Sequence, residues 1–105
     1  MSQPQPARRP GWPEALNALI EQRRGAPFAW GSNDCALFAA DAVLATTGQD
    51  PAAALRGTYG SAEGAARVLQ QHGGVQALAA AALPQYPRAL MARRGDVVCL
   101  SLIHI

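Results

Sequence analysis

The stretch FAWGSNDCALFAAD, residues 28–41, decides how this chain folds, because a polar turn leads directly into an apolar helix. The letters SND before the cysteine are residue types whose side chains cap helix N-termini, so we predict a helix that starts around Cys35. Over residues 36–44 nearly every side chain is apolar apart from Asp41. This pattern is typical of a helix surrounded by protein on most sides. We predict that it is the central element.

Other helices are predicted on both sides of this stretch. Residues 12–24 repeat apolar side chains at helical spacing, with Pro13 at the first turn and Gly25 as the stop. The remaining predicted elements are a short turn of helix after Asp50-Pro51, a helix at 61–72, a weaker helix at 75–83, and a single strand, DVVCL, at 96–100.

Length and composition restrict the class of protein. A chain of 105 residues has room for a single domain. The net charge of +2 comes from arginine pairs dispersed along the chain, which argues against nucleic-acid binding. Two cysteines without a CxxC motif and two histidines give no zinc spacing, so we predict no metal and no cofactor.

The N-terminal sequence indicates where the protein is located. MSQPQPARRP has an arginine pair but no apolar run after it, so it is no secretory signal, and we predict a disordered lead over residues 1–11. The chain has no uninterrupted apolar segment of about 18 residues, the length that a membrane span requires. We therefore expect a protein that is cytoplasmic as synthesised and has no membrane span.

Cys35 lies where a thiol can react. A cysteine attacks as the thiolate, and a helix N-terminus places partial positive charge and free N–H groups beside the sulfur. We assign Asp34, Asn33 and Trp30 to oxyanion stabilisation or to support of the loop. From the residues alone an alternative stays open: Cys35 fills space in the core, because free cysteine is among the most buried residue types.

Four further residues, Asp41, Tyr59, Gly31 and Asp96, are assigned structural roles. A buried Asp41 would need a donor such as Arg56, Tyr59 or a backbone N–H. Gly31 belongs to the tight turn before the cysteine. Asp96 follows a glycine at the start of the predicted strand, where we expect its carboxylate to bind turn backbone.

Two segments, FAWGSNDCALFAADAV at 28–43 and RRGDVVCL at 93–100, carry a family pattern. They resemble the NlpC-like branch of the papain-like cysteine peptidases, in which an aromatic-Trp-Gly turn leads to Asp-Cys at a helix start and Gly-Asp-Val opens the sheet. The arrangement looks most similar to an uncharacterised subgroup from prophage tail gene clusters. The resemblance implies that Cys35 is the nucleophile. It also implies an α+β, papain-like parent, of which this chain is a mostly helical part with about one strand.

The family's general base is a histidine on the strand after the Gly-Asp-Val strand. No such strand fits before Ile105, so we expect a C-terminally truncated chain in which residues 12–99 are the N-terminal part of an NlpC-like domain. The ending LSLIHI, residues 100–105, matches the translation of a sequencing-library adapter, and we expect it to be a non-native tail. His104 then has no catalytic role, and His72 is expected to face solvent at a helix end.

The leading hypothesis is an N-terminal fragment of a cysteine peptidase or amidase that cuts peptidoglycan peptides or other amides in a phage tail. We expect the full-length parent to be the active form and this chain alone to be inactive. The alternative is a catalytically inactive papain-like domain that binds phage tail proteins as an assembly component. A third class, a helical partner-binding domain, would be favoured by deep burial of Cys35. The phage context implies association with the virion.

Overall fold

Four α-helices make up the described structure. The computed structural model of the chain describes residues 7–83, 91 and 93–97. The helices are α1 (Trp12–Arg24), α2 (Cys35–Thr47), α3 (Ala62–Gln71) and α4 (Val75–Ala82). Their limits agree with the predicted ones to within a residue, so the helix predictions are confirmed. In the part of the chain that the structure describes, no helix is long and apolar enough to cross a membrane.

The α+β, papain-like fold expected from the resemblance is wrong. Residues 7–83, 91 and 93–97 form a small all-helical domain without a strand, and their one β-type pairing is an isolated bridge between Ala29 and Asn33. The predicted strand fails at Asp96 and Val97, which belong to no regular element. Its remaining positions, 98–100, lie outside the described residues. An apolar, β-branched run becomes a strand only where a partner pairs with its backbone.

The short turn of helix predicted after Asp50 is a series of turns over residues 51–57. The Asp50 carboxylate accepts the N–H of Ala52 at 3.0 Å, as predicted for a cap, but Arg56 folds back and donates to the same carboxylate at 2.8 Å. Gly57 then donates its N–H to the carbonyl of Gly31 at 3.0 Å. This segment therefore packs against the loop before α2.

The helix starts follow from their capping residues. Asp34 caps α2 by accepting the N–H of Leu37, and Ser61 caps α3 by accepting the N–H of Gly64. Each side chain satisfies one of the backbone donors that a helix start leaves without a partner. The predicted caps therefore place Cys35 at the first position of α2.

The core is small and lies between α2 and the turns that follow it. α1 packs on α2, and the buried apolar residues are Leu37, Ala40 and Ala52, with Leu55 packed against them. The prediction that protein surrounds residues 36–44 on most sides is wrong at Ala36 and Leu44, which are exposed. Alanine-rich helices bury little area per residue, so a single face carries the packing.

A second contact, here called the terminal clasp, joins α1 to residues 93–96. The Arg8 guanidinium lies 4.5 Å from the centroid of the Trp12 ring and that of Arg94 lies 5.2 Å from it. Arg8 also forms an ion pair with Asp96, whose carboxylate accepts the N–H of Arg93 at 2.7 Å. Asp96 thus binds turn backbone, the structural role assigned to it, but within the clasp and outside any strand.

The end of the predicted N-terminal lead contacts the helical domain. Arg9 donates its N–H to the carbonyl of Thr46 at 2.7 Å, and Arg8 belongs to the terminal clasp. Residues 8 and 9 are thus joined to residues 93–96 and to the C-terminal end of α2, whereas residues 1–6 of the lead lie outside the described structure.

Candidate functional site

The loop before α2, residues 29–33, is closed by two backbone hydrogen bonds between its first and last residues. The N–H of Ala29 donates to the Asn33 carbonyl at 3.0 Å, and the N–H of Asn33 donates back at 2.8 Å. Gly31 lies between them with φ of 80°, and a Cβ at this position would be 2.0 Å from the carbonyl oxygen of Tyr59. Both the left-handed backbone and this close approach require glycine. The tight turn assigned to Gly31 therefore has a definite geometry.

Asp34 joins this loop to α2 and to Tyr59. The residue is 4% exposed. Its Oδ1 accepts the N–H of Leu37 at 2.9 Å, while Oδ2 accepts the N–H of Gly31 at 3.0 Å and the hydroxyl of Tyr59 at 2.6 Å. One carboxylate therefore fixes the residues on both sides of Cys35.

The hydrogen bonds also set the ionisation of this pair. Burial alone would raise the pKa of Asp34, but hydrogen bonds from the Tyr59 hydroxyl and from backbone N–H groups outweigh burial and lower that pKa. The N–H groups belong to Leu37, Gly31 and Ala36. Burial raises the pKa of Tyr59, and its hydrogen bond to the carboxylate raises it further. At neutral pH the pair is thus a carboxylate and a neutral phenol that donates to it.

Cys35 is the first residue of α2, and it is an exposed free cysteine. Its exposure contradicts the space-filling alternative, and the deep burial that would favour a helical partner-binding domain is not observed. The Asp34 carboxylate accepts the N–H groups of Ala36 and Leu37, so the N–H of Cys35 stays outside this set.

Asn33 and Trp30 support the loop in different ways. The amide of Asn33 accepts from Arg23 at 3.1 Å and donates to the carbonyl of Pro27 at 2.7 Å, so both of its ends bind within the protein. The Trp30 side chain packs edge to face on Phe28, with ring centroids 4.8 Å apart, and both rings are exposed. Both residues therefore support the loop, and Pro27 takes one of the two N–H donors of the Asn33 amide.

Asp41 lies on the buried face of α2, where two arginines reach it. Its Oδ2 is 2.6 Å from Arg23 and its Oδ1 is 2.6 Å from Arg56. Arg56 was one of the predicted donors, whereas Tyr59, the other one, binds Asp34. Arg56 also forms an ion pair with Asp50, and its hydrogen bond lowers the pKa of the Asp50 carboxyl. Because Arg56 contacts both carboxylates and Arg23 contacts Asp41, these charges connect α1, α2 and the turns that follow α2.

A groove, here called the α3 groove, lies between α3 and the segment before it. Arg67 and His72 are exposed residues of α3 and its C-terminal end, and both line this groove. Its lining residues include Leu55, Tyr59, Arg67, Val68, Gln71 and His72. No acidic side chain is among the described residues that form its walls.

The structure brings Asp34, Gly31 and Tyr59 together around Cys35, and it places Asp41 on the buried face of the same helix. Sequence reasoning missed Arg23, which binds both Asp41 and the loop. It also missed Arg67, although its four-residue spacing from Gln71 on α3 places both on one helix face. Among the described residues, no group of three His, Cys, Asp or Glu side chains is placed to hold a metal ion.

Comparison with known proteins gives one result. A family described as a domain of unknown function, DUF6950, matches residues 7–103, and the chain belongs to this family. No curated protein and no solved structure matches the chain.

Proposed function

We propose that this member of the DUF6950 family carries the nucleophile of a cysteine-dependent hydrolase that cleaves amide bonds. The observation that supports the proposal is the exposed thiol of Cys35 at the first position of α2, directly after the buried Asp34. The NlpC-like resemblance suggests peptides of the bacterial cell wall as substrates and a phage tail as the setting. The proposal concerns residues 28–41 and does not need a papain-like sheet.

Rigid support of the nucleophile follows from the contacts of Asp34. Its carboxylate binds Gly31 before Cys35 and Leu37 after it, so the backbone at position 35 is held from both sides. Fixed geometry lets a nucleophile attack without losing further conformational freedom in the transition state. Asp34 and Tyr59 are positioning residues in this proposal, and Cys35 is the catalytic residue.

The reaction proceeds through a thioester. The thiolate of Cys35 attacks the amide carbonyl carbon, a C–S bond forms and the carbonyl electron pair moves to oxygen. Collapse breaks the C–N bond, and the amine leaves with a proton that solvent water supplies. Water then cleaves the thioester, which releases the acid and restores the thiol. The N–H of Cys35, which Asp34 does not use, is our candidate donor to the oxyanion.

The resemblance assigns both proton transfers to a histidine. We assign neither His72 nor His104 to this role. His72 caps the C-terminal end of α3 and lines the α3 groove, and His104 lies outside the described residues. Replacing either one by glutamine is therefore expected to leave the reactivity of Cys35 unchanged.

The test follows Cys35 directly. The protein is treated with a peptide chloromethyl ketone, and the modified residue is identified by mass spectrometry, in parallel with turnover of cell-wall peptides. We expect labelling at Cys35 in the wild type and in Cys99→Ala, and no labelling or turnover in Cys35→Ala. Ser32→Ala, an exposed change in the same loop, is the matched control and should behave as the wild type.

Labelling confined to Cys99, or turnover that survives Cys35→Ala, would remove Cys35 from the assigned role. A protein whose Cys35 is not labelled and whose Cys35→Ala variant still joins phage tails would instead support the assembly role. The two functions therefore give different results in the same pair of proteins.

A further inference from the structure

The described walls of the α3 groove carry a positively charged side chain and no negatively charged one. Arg67 contributes a guanidinium to its wall, and no aspartate or glutamate is among its described lining residues. Arg67 forms no ion pair with another residue in the described ranges, in contrast to Arg8, Arg23, Arg24 and Arg56. A guanidinium without a protein carboxylate is available to an anionic ligand.

The chemistry of the other walls is mixed. Gln71 and His72 add polar side chains beside Arg67, whereas Leu55 and Val68 add apolar ones. Such a groove suits a ligand with an anionic group on an aliphatic stem, as in a glutamate side chain. Phosphate sites at helix N-termini use free backbone N–H groups, but Ser61 already accepts the N–H of Gly64 at the start of α3.

Tyr59 connects the groove to the candidate nucleophile. Its side chain lines the groove, and its hydroxyl donates to Asp34 at 2.6 Å. Asp34 is the residue directly before Cys35. The groove and the segment that holds the thiol are therefore connected through the Tyr59 side chain.

We propose that the α3 groove binds an acidic side chain of the peptide substrate through Arg67, an inference that rests on the function proposed above. The planar guanidinium matches a carboxylate with two parallel hydrogen bonds, which a neutral amide in the same place cannot accept. Arg67 is thus a specificity-determining residue that selects peptides with a carboxylate near the cleaved amide.

The experiment separates binding from cleavage. Two blocked peptides, acetyl-Ala-Glu-Ala-amide and acetyl-Ala-Gln-Ala-amide, differ in the carboxylate alone, and each is titrated into Cys35→Ala, followed by NMR. Because an exposed ion pair contributes modestly, we expect the glutamate peptide to bind about two- to fivefold more tightly. Arg67→Gln should abolish this difference, whereas Arg24→Gln, on the exposed face of α1, should retain it.

Equal affinity for the two peptides, a preference that survives Arg67→Gln, or no binding of either peptide would overturn the inference. Tighter, Arg67-dependent binding of inorganic phosphate than of the glutamate peptide would also overturn it, in favour of a phosphate site. Selective binding in a protein whose Cys35 is not labelled by the chloromethyl ketone would refute the proposed hydrolase and leave the groove assignment standing. Labelling of Cys35 without charge selectivity would do the reverse.

Discussion

Two aspartates on the same helix, Asp34 and Asp41, are buried by different means. Asp34, at the N-terminus of α2, accepts hydrogen bonds from a phenol and from backbone N–H groups, all of them neutral donors. Asp41, two turns later, lies between the guanidinium groups of Arg23 and Arg56. Local backbone geometry satisfies the first carboxylate, whereas ion pairs with long side chains from two other segments balance the charge of the second, whose Oδ2 accepts no hydrogen bond.

This difference separates two tasks. Neutral donors at Asp34 leave one uncompensated negative charge beside Cys35 and fix the adjacent backbone, which concerns the geometry of the candidate site. Charged donors at Asp41 neutralise the buried carboxylate and join α1 to α2, which concerns the assembly of the domain. Changes at the two positions should therefore affect stability and reactivity in different proportions.

The largest effect on stability is expected for Gly31→Ala, which disturbs the loop that the Asp34 carboxylate holds. The change strains a left-handed backbone and places a Cβ 2.0 Å from the Tyr59 carbonyl oxygen. We expect a loss of about 3 kcal/mol or more in the free energy of unfolding, measured with urea. Gly60→Ala, where a Cβ meets nothing within 4 Å, is the matched control and should cost less than about 1 kcal/mol.

A smaller loss is expected for Asp34→Asn, because the amide keeps one acceptor oxygen but lacks the charge. We expect about 2 kcal/mol at pH 7, and about 1 kcal/mol for Tyr59→Phe, which removes only the hydroxyl donor. Wild-type stability in Asp34→Asn would show that the carboxylate does not hold the loop.

The Asp34 effect depends on pH in a defined direction. The pKa of this carboxyl is lowered in the folded protein, so its stabilising contribution is complete above the unfolded value of about 3.9 and is lost as the pH falls through the folded pKa. The stability difference between the wild type and Asp34→Asn should therefore shrink below about pH 4. A difference that is constant down to pH 2 would contradict this assignment.

The smallest effect is expected when the Asp41 network is replaced as a whole. Asp41→Leu alone should cost about 2 kcal/mol, because it leaves Arg23 and Arg56 without this partner. Combined with Arg23→Met and Arg56→Met, it should lie within about 1 kcal/mol of the wild type, since apolar packing can replace buried ion pairs. A triple variant less stable than Asp41→Leu would show that the charges themselves are required.

Sequence patterns predicted the helices well because their signals are local. Capping residues such as Asp34 and Ser61, and glycines such as Gly25 and Gly48, act within a few residues of the position that they determine. The place of Cys35 at a helix start was also predictable from these caps, whereas its exposure was left open by the sequence. Local chemistry therefore accounts for the position of the candidate nucleophile.

Long-range partners were predicted poorly. The strand at 96–100 required a pairing partner that no local pattern specifies, and Asp96 instead binds Arg8. Tyr59 was expected as a donor to Asp41 but binds Asp34, 25 residues earlier in the chain. Arg23 and Arg67 gave no motif at all. Such contacts depend on how helices pack, which a single sequence determines only through the whole fold.

The terminal clasp also bears on the order of events during folding. Its Arg8–Asp96 contact joins residues 88 positions apart, so it closes nearly the entire chain into one loop. The entropic cost of closing a loop grows with its length. The cation–π and ionic contacts of the clasp offset this cost only after the helices between residues 8 and 96 have formed and shortened the flexible loop. We therefore expect the clasp to be the last contact to form and the first to open when the protein is heated.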